Sequence, residues 1–291
     1  MAKLMAENQD LKLSFSTQAC PEWTVAAIVD GMQSYGFDGV ELVLGKGHKH
    51  NVDVDSPAAH LTEVRKQMDD AEMGIACLSG QLSLSVADKA ARLKVLDELK
   101  KTLTLADRLG VPYVRIFGGN IPGGFETAGV IDYIAEALAD AAEYIETSKL
   151  RSMLLLQTHD IFSHSKYALE VLSQVYSEYL GILWDVLHPL RVMETVEQTY
   201  ESLGKYVRML HIHDCSVNDD RTRIAPCTLG EGFVPFTRVV KLLKADNFHG
   251  YLSLESLQQE VDPDEMLPHG AEYLKKLIVH AKKENKTEDE E

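Results

Sequence analysis

The stretch Met209-Leu210-His211-Ile212-His213-Asp214 is an apolar run of strand length that ends in side chains suited to holding a cation. Seven other runs share its shape: LKLSFS (11–16), GVELVL (39–44), GIACLS (74–79), YVRIF (113–117), SMLLLQ (152–157), GILWDV (181–186) and YLSLES (251–256). Each is followed by a segment with helical signals. Thr24 is placed to cap the first helix and Gly36 to stop it, while Leu93, Leu96, Leu99 and Leu103 recur near helical spacing in a later one. Strand–helix units of roughly 30 to 40 residues, repeated without an intervening linker, predict a single-domain (β/α)8 TIM barrel. The barrel is expected over residues 11–281, with an N-terminal extension at 1–10 and a disordered acidic tail at 282–291. A doubly wound open sheet is the structural alternative; the first strand–helix turn lacks the G-x-G-x-x-G that would favour it.

Side chains two apart on a strand share a face. Leu155 and Gln157, Leu183 and Asp185, Met209 and His211, and Ser253 and Glu255 therefore point to one side, with the apolar Leu156, Trp184 and Leu254 opposite. This alternation puts Gln157, Asp185, His211 and Glu255 at the C-terminal rim, where such barrels keep their chemistry. An amide oxygen, two carboxylates and an imidazole suit a divalent metal such as Mn, Mg, Co or Zn. A hydrated polar rim without an ion is the alternative. Glu41, at the end of strand two, is placed to bind a substrate hydroxyl or to form a buried ion pair. The loop Gly45 to Val54, with Lys46, His48, Lys49 and His50, reads as a solvated surface segment, and Asn218 to Gly232 as a long polar loop.

Lys and Arg number 29 against 45 Asp and Glu, a net charge of −16. That field opposes nucleic acid and anionic membranes as partners. The four cysteines show no C-x-x-C spacing and read as reduced thiols. With no apolar run of membrane length and no secretory signal, a cytoplasmic location is expected.

The motifs YGFDGVEL, LLLQTHD, WDVLHP, HIHD, LGEG and LSLES, in that order along nearly the whole chain, resemble the xylose isomerase-like TIM barrel superfamily, in its sugar (phosphate) isomerase and epimerase branch. The resemblance implies that Asp185, His211 and Glu255 are metal ligands, with His213 the runner-up to His211. It also implies that His188 contacts metal or substrate oxygen, that Glu231 shapes the pocket, and that the barrel associates as a homo-oligomer. One departure stands out. The family's strand-five glutamate, in an E-x-H pattern, is Gln157 here, in Gln157-Thr158-His159. An amide can ligate through oxygen but cannot take a proton at neutral pH.

With Gln157 in that place, Glu255 remains the obvious carboxylate base, and His159 or His188 can assist. The expected function is therefore a metal-dependent sugar or sugar-phosphate isomerase acting through an enediolate on a small carbohydrate. A ketose 3-epimerase, a dehydratase and a non-catalytic sugar-binding barrel are the alternatives. AP endonuclease-like activity fits poorly, because strands two and three end without histidine and the charge repels DNA. GGNIPGG after strand four and Arg221 or Arg223 after strand seven are the sources the sequence offers for holding a phosphate.

Overall fold

The structure, a computed structural model, describes residues 11–218, 223–256 and 261–288, with side chains to residue 280. In chain order the elements are β1 (Lys12–Ser16), α1 (Val25–Tyr35), β2 (Gly39–Val43), α2 (Ala58–Asp70), β3 (Gly74–Ser79), α3 (Lys89–Leu109), β4 (Tyr113–Ile116), α4 (Thr127–Thr147), β5 (Met153–Gln157) and α5 (Ser165–Val175). They continue with β6 (Leu180–Asp185), α6 (Leu187–Arg191), α7 (Val196–Leu203), β7 (Val207–Ile212), β8 (Asp214–Val217), β9 (Ile224–Cys227), α8 (Phe236–Ala245), β10 (Tyr251–Leu254) and α9 (Pro263–Glu288). Eight strands close a parallel barrel in the order β1-β10-β7-β6-β5-β4-β3-β2. The chain is thus the single (β/α)8 domain its sequence predicts.

Strand alternation sorts the core into two layers. Ala76, Cys77, Leu155, Leu183 and Met209 fill the barrel interior, with Tyr113, Met153 and Tyr251 packed against them. Leu154, Leu156, Ile182, Trp184, Leu210 and Ile212 belong to the larger cluster shared with the helices. Local signals fix several helix ends: the Thr24 hydroxyl accepts from the Ala27 amide at the start of α1, and Gly36 ends it at φ 73°.

Three segments depart from the sequence reading. The strand expected to run through His213 stops at Ile212, and Asp214 begins an antiparallel hairpin, β8 with β9, outside the barrel. The cause is the Asp214 carboxylate, which accepts the amides of Cys215, Gly230, Gly232 and Val234 at 2.9–3.2 Å and turns the chain outward. The loop after β2 is not wholly solvated, since His50 is buried and its Nδ1 accepts the Val52 amide. Helix α9 continues through Glu288, so the boundary expected at 282 falls inside it. Residues 1–10, 219–222, 257–260 and 289–291 lie outside the described residues and take with them the N-terminal extension, Arg221 and the end of the tail. Among the described residues no helix is long and apolar enough to cross a membrane.

Candidate active site and metal centre

The C-terminal ends of β5, β6, β7 and β10 bring Gln157, Asp185, His211 and Glu255 together at the barrel mouth. Register does the placing: Asp185 pairs with His211, His211 with Ser253, and the Glu255 amide donates to Ile212 O at 3.0 Å, holding residue 255 in line with its strand. Gln157 Nε2 lies 3.1 Å from Asp185 Oδ2 and 3.3 Å from His211 Nδ1, and His211 Nδ1 lies 3.4 Å from Glu255 Oε2.

Among the described residues two ligand-type groups result, each with its donor atoms within 4.8 Å of one another: Asp185, His211 and Glu255, and Asp185, His188 and His213. Asp185 belongs to both. Its Oδ1 is 2.9 Å from His213 Nε2, and its Oδ2 is 3.6 Å from His188 Nε2. Gln157 bears on which chemistry fits the first group. Its Oε1 is buried without a partner while its Nε2 faces the carboxylate and the imidazole. Turning the amide over would present oxygen instead, completing a set of one amide oxygen, two carboxylates and one imidazole. Such a set fits a divalent cation.

Glu41 stands behind His211. His211 Nε2 donates to Glu41 Oε2 at 2.7 Å, and the Ser253 hydroxyl donates to the same oxygen at 3.2 Å. A carboxylate at the far nitrogen fixes the tautomer and leaves Nδ1 facing the cluster. The buried ion pair that is one of the two readings of Glu41 thus forms with His211. Burial alone would lower the His211 imidazolium, but the charges of Glu41 and then Glu255 outweigh it and push its pKa up to about 10. Burial opposes ionisation of Glu41, yet the His211 charge beside it brings its pKa down to about 2. Against burial, the His213 charge holds Asp185 low and the His211 charge holds Glu255 below the usual carboxylate range. His213 is raised by Asp185 despite its burial, whereas burial dominates at His188 and lowers it.

A pH dependence follows from the first two shifts. The folded pKa of His211 lies above its ordinary 6.5, so its stabilisation is complete below 6.5 and is lost as pH climbs through about 10. The folded pKa of Glu41 lies below its ordinary 4.5, so its stabilisation is complete above 4.5 and is lost as pH falls through about 2. Thermal melts in chelator should place maximal stability of the metal-free protein between 4.5 and 6.5. A maximum above pH 8 would contradict this pairing. Cation binding through Nδ1 must displace the His211 proton at neutral pH, so titration calorimetry in two buffers should report about one proton released per ion.

His159 and His188 form the other wall. His159 is a third exposed; its ring stands edge-on to His188 at 4.2 Å, and its Nδ1 is 3.1 Å from Asp160 Oδ2. Phe117 covers the His159 ring at 4.8 Å. Glu231 is not brought to this cluster: it sits exposed on the turn closed by its amide to Thr228 O. Asp214 anchors that turn, and a Cβ on Gly232 would overlap its carboxylate. Beside Glu255 and His213 opens a cavity of about 240 Å³, partly walled by Leu229, Leu254 and Met266.

Two features escaped the sequence reading. The four-amide role of Asp214 has no local signature. Arg115, inside the apolar run YVRIF, is buried within the barrel, and the same alternation that placed Gln157 could have flagged it.

Comparison with known proteins agrees with this architecture. Fructoselysine 3-epimerase of Escherichia coli O157:H7 is 24% identical over 230 residues, which are 76% of this chain and 81% of that protein. The structure of an L-ribulose 3-epimerase superposes with a TM-score of 0.78 at 18% identity, covering 95% of this chain and 97% of that one. A xylose isomerase-like TIM barrel protein from Mycobacterium smegmatis in complex with magnesium gives 0.71 at 15% identity, covering 93% and 97%. The family profile described as xylose isomerase-like TIM barrel matches residues 29–277, and the chain belongs to that family.

Proposed function

We propose that the protein is a divalent-metal-dependent sugar isomerase in which Glu255 carries the proton between neighbouring carbons. The observation that carries this reading is the difference between the two carboxylates of the cluster. Asp185 is fully buried and already engaged by His213, Gln157 and the Leu187 amide. Glu255 is 10% exposed at its side chain and faces the mouth. In this reading Gln157, Asp185, His211 and Glu255 hold the cation, which supplies positive charge against the oxyanion that develops when a proton leaves carbon. Glu255 takes the proton from the carbon beside the carbonyl and returns it to the adjacent carbon on the same face. His188 donates to substrate oxygen, and His159 holds the His188 ring in place. Glu41 keeps His211 in the required tautomer.

An epimerase reading has one observation of its own. The His188–His159 pair offers a second proton-transfer group across Asp185 from Glu255, and inversion needs groups on both faces. Incubating metal-loaded protein with a panel of aldoses and ketoses in deuterated water tests both readings. Deuterium on carbon with aldose–ketose interconversion supports the isomerase, and deuterium with an inverted ketose supports the epimerase. Absence of exchange across the panel, with metal bound, would leave a sugar-binding barrel without turnover. Gln157→Glu adds a negative charge to the ligand set, so it should tighten divalent metal binding about tenfold by calorimetry, within the span such perturbations reach. Exchange should persist in that variant.

A further inference from the structure

His213 has no part in the proton transfer described above, yet it is buried beside Asp185. It falls between the last residue of β7, Ile212, and the first of β8, Asp214. Its Nε2 lies 2.9 and 3.1 Å from the two oxygens of that carboxylate. His188, in the first turn of α6, brings its Nε2 to 3.6 Å from Asp185 Oδ2. Ligand atoms about 2.05 Å from a tetrahedral zinc ion stand roughly 3.3 Å apart. The spacings around Asp185 bracket that value. Two imidazoles and one carboxylate are the protein ligands of a three-ligand zinc site. The other group, with Gln157 turned over, offers three oxygens and one nitrogen, which suits magnesium or manganese. Arg191 Nη1, on an exposed side chain, is 3.5 Å from His188 Nδ1, at the limit of hydrogen-bond reach.

Gln157 decides whether both groups can fill together. Asp185 is common to them. Because residue 157 is a neutral amide, the ligating carboxylates of the two groups are Asp185 and Glu255, whose charges match one divalent ion. Glu41 bonds the far side of His211 and belongs to neither group. A second ion sharing Asp185 would stand roughly 4 Å from the first, the spacing of bridged metal pairs. It would bring two further positive charges and meet only the neutral imidazoles of His188 and His213. Repulsion at that distance is left without a compensating carboxylate. The two groups are therefore alternatives for one ion.

We propose that Asp185, His188 and His213 form an inhibitory zinc site that competes with the magnesium- or manganese-type centre for their shared carboxylate. Zinc held there withdraws Asp185 from the centre and His188 from substrate oxygen. The inference rests on the metal-centre reading above for the ion that zinc displaces, but not for the zinc ligands themselves.

The test loads metal-free full-length protein with manganese, titrates zinc, and follows released manganese by the electron paramagnetic resonance signal of the free ion. The wild type should release manganese one for one, with total metal staying near one ion per chain. His213→Gln and His188→Asn should hold manganese within about threefold of wild-type affinity, yet need at least about tenfold more zinc to release it, the least expected when a ligand itself is lost. The His188 side chain is 12% exposed, so that variant carries the test if loss of the buried His213 unfolds the chain. Zinc that binds alongside manganese, bringing the total to about two ions, overturns the competition. Zinc that fails to release manganese, or does so equally well in both variants, overturns the site and leaves the manganese reading standing. If manganese does not bind while zinc binds through His188 and His213, the zinc site stands and the manganese reading fails.

Discussion

Glu255→Gln should lower the rate of carbon-bound deuterium incorporation by about a thousandfold, the middle of the range a positioned general base contributes. The substitution keeps the side chain's volume and an oxygen able to ligate, so metal should still bind, more weakly. Exchange assays with and without saturating manganese separate the two effects. A variant that keeps more than a tenth of the wild-type rate at saturating metal would place the base elsewhere, with His188 next in line. With the cation in place of the His211 proton, positive charge still faces Glu255, so the acid limb of the rate profile should fall below the ordinary carboxylate range.

Glu41→Ala should be the most destabilising single change at the site. It strands His211 without the 2.7 Å partner of its Nε2, at a position where both residues are buried. Removing one member of a buried pair costs about 3–5 kcal/mol. Denaturant titration should show that loss, and calorimetry a fall in metal affinity of about 10- to 100-fold from the freed imidazole orientation. Glu41→Gln, which keeps an acceptor for Nε2, should lose less on both counts. Equal losses in the two variants would show that charge, not orientation, is what Glu41 provides.

How much of this was legible in the sequence follows from how local each cause is. The barrel strands could be read because a parallel strand buried on both faces is a short apolar run, and turn residues bracket each one. The convergence of Gln157, Asp185 and His211 could be read because period-two alternation is rigid along a strand and the closure of eight units brings their ends together. The Glu41–His211 pair could not, because it joins residues 170 apart in sequence and its geometry depends on the shear of the closed sheet. Asp214 was read as a motif partner of His211. Its bonding to amides as distant as residue 234 is a tertiary fact. Glu231 shows the opposite failure: the turn Leu229–Gly232 is where the motif indicates, yet its glutamate faces solvent. Arg115 went unread because the run YVRIF ends in no ligand-type side chain, and only its pairing with the interior Leu155 shows which way it faces.

The carboxylate of Asp214 has one more consequence. Freeing any single amide from it leaves three others in place, so the wall between β7 and α8 is braced redundantly and does not open piecemeal.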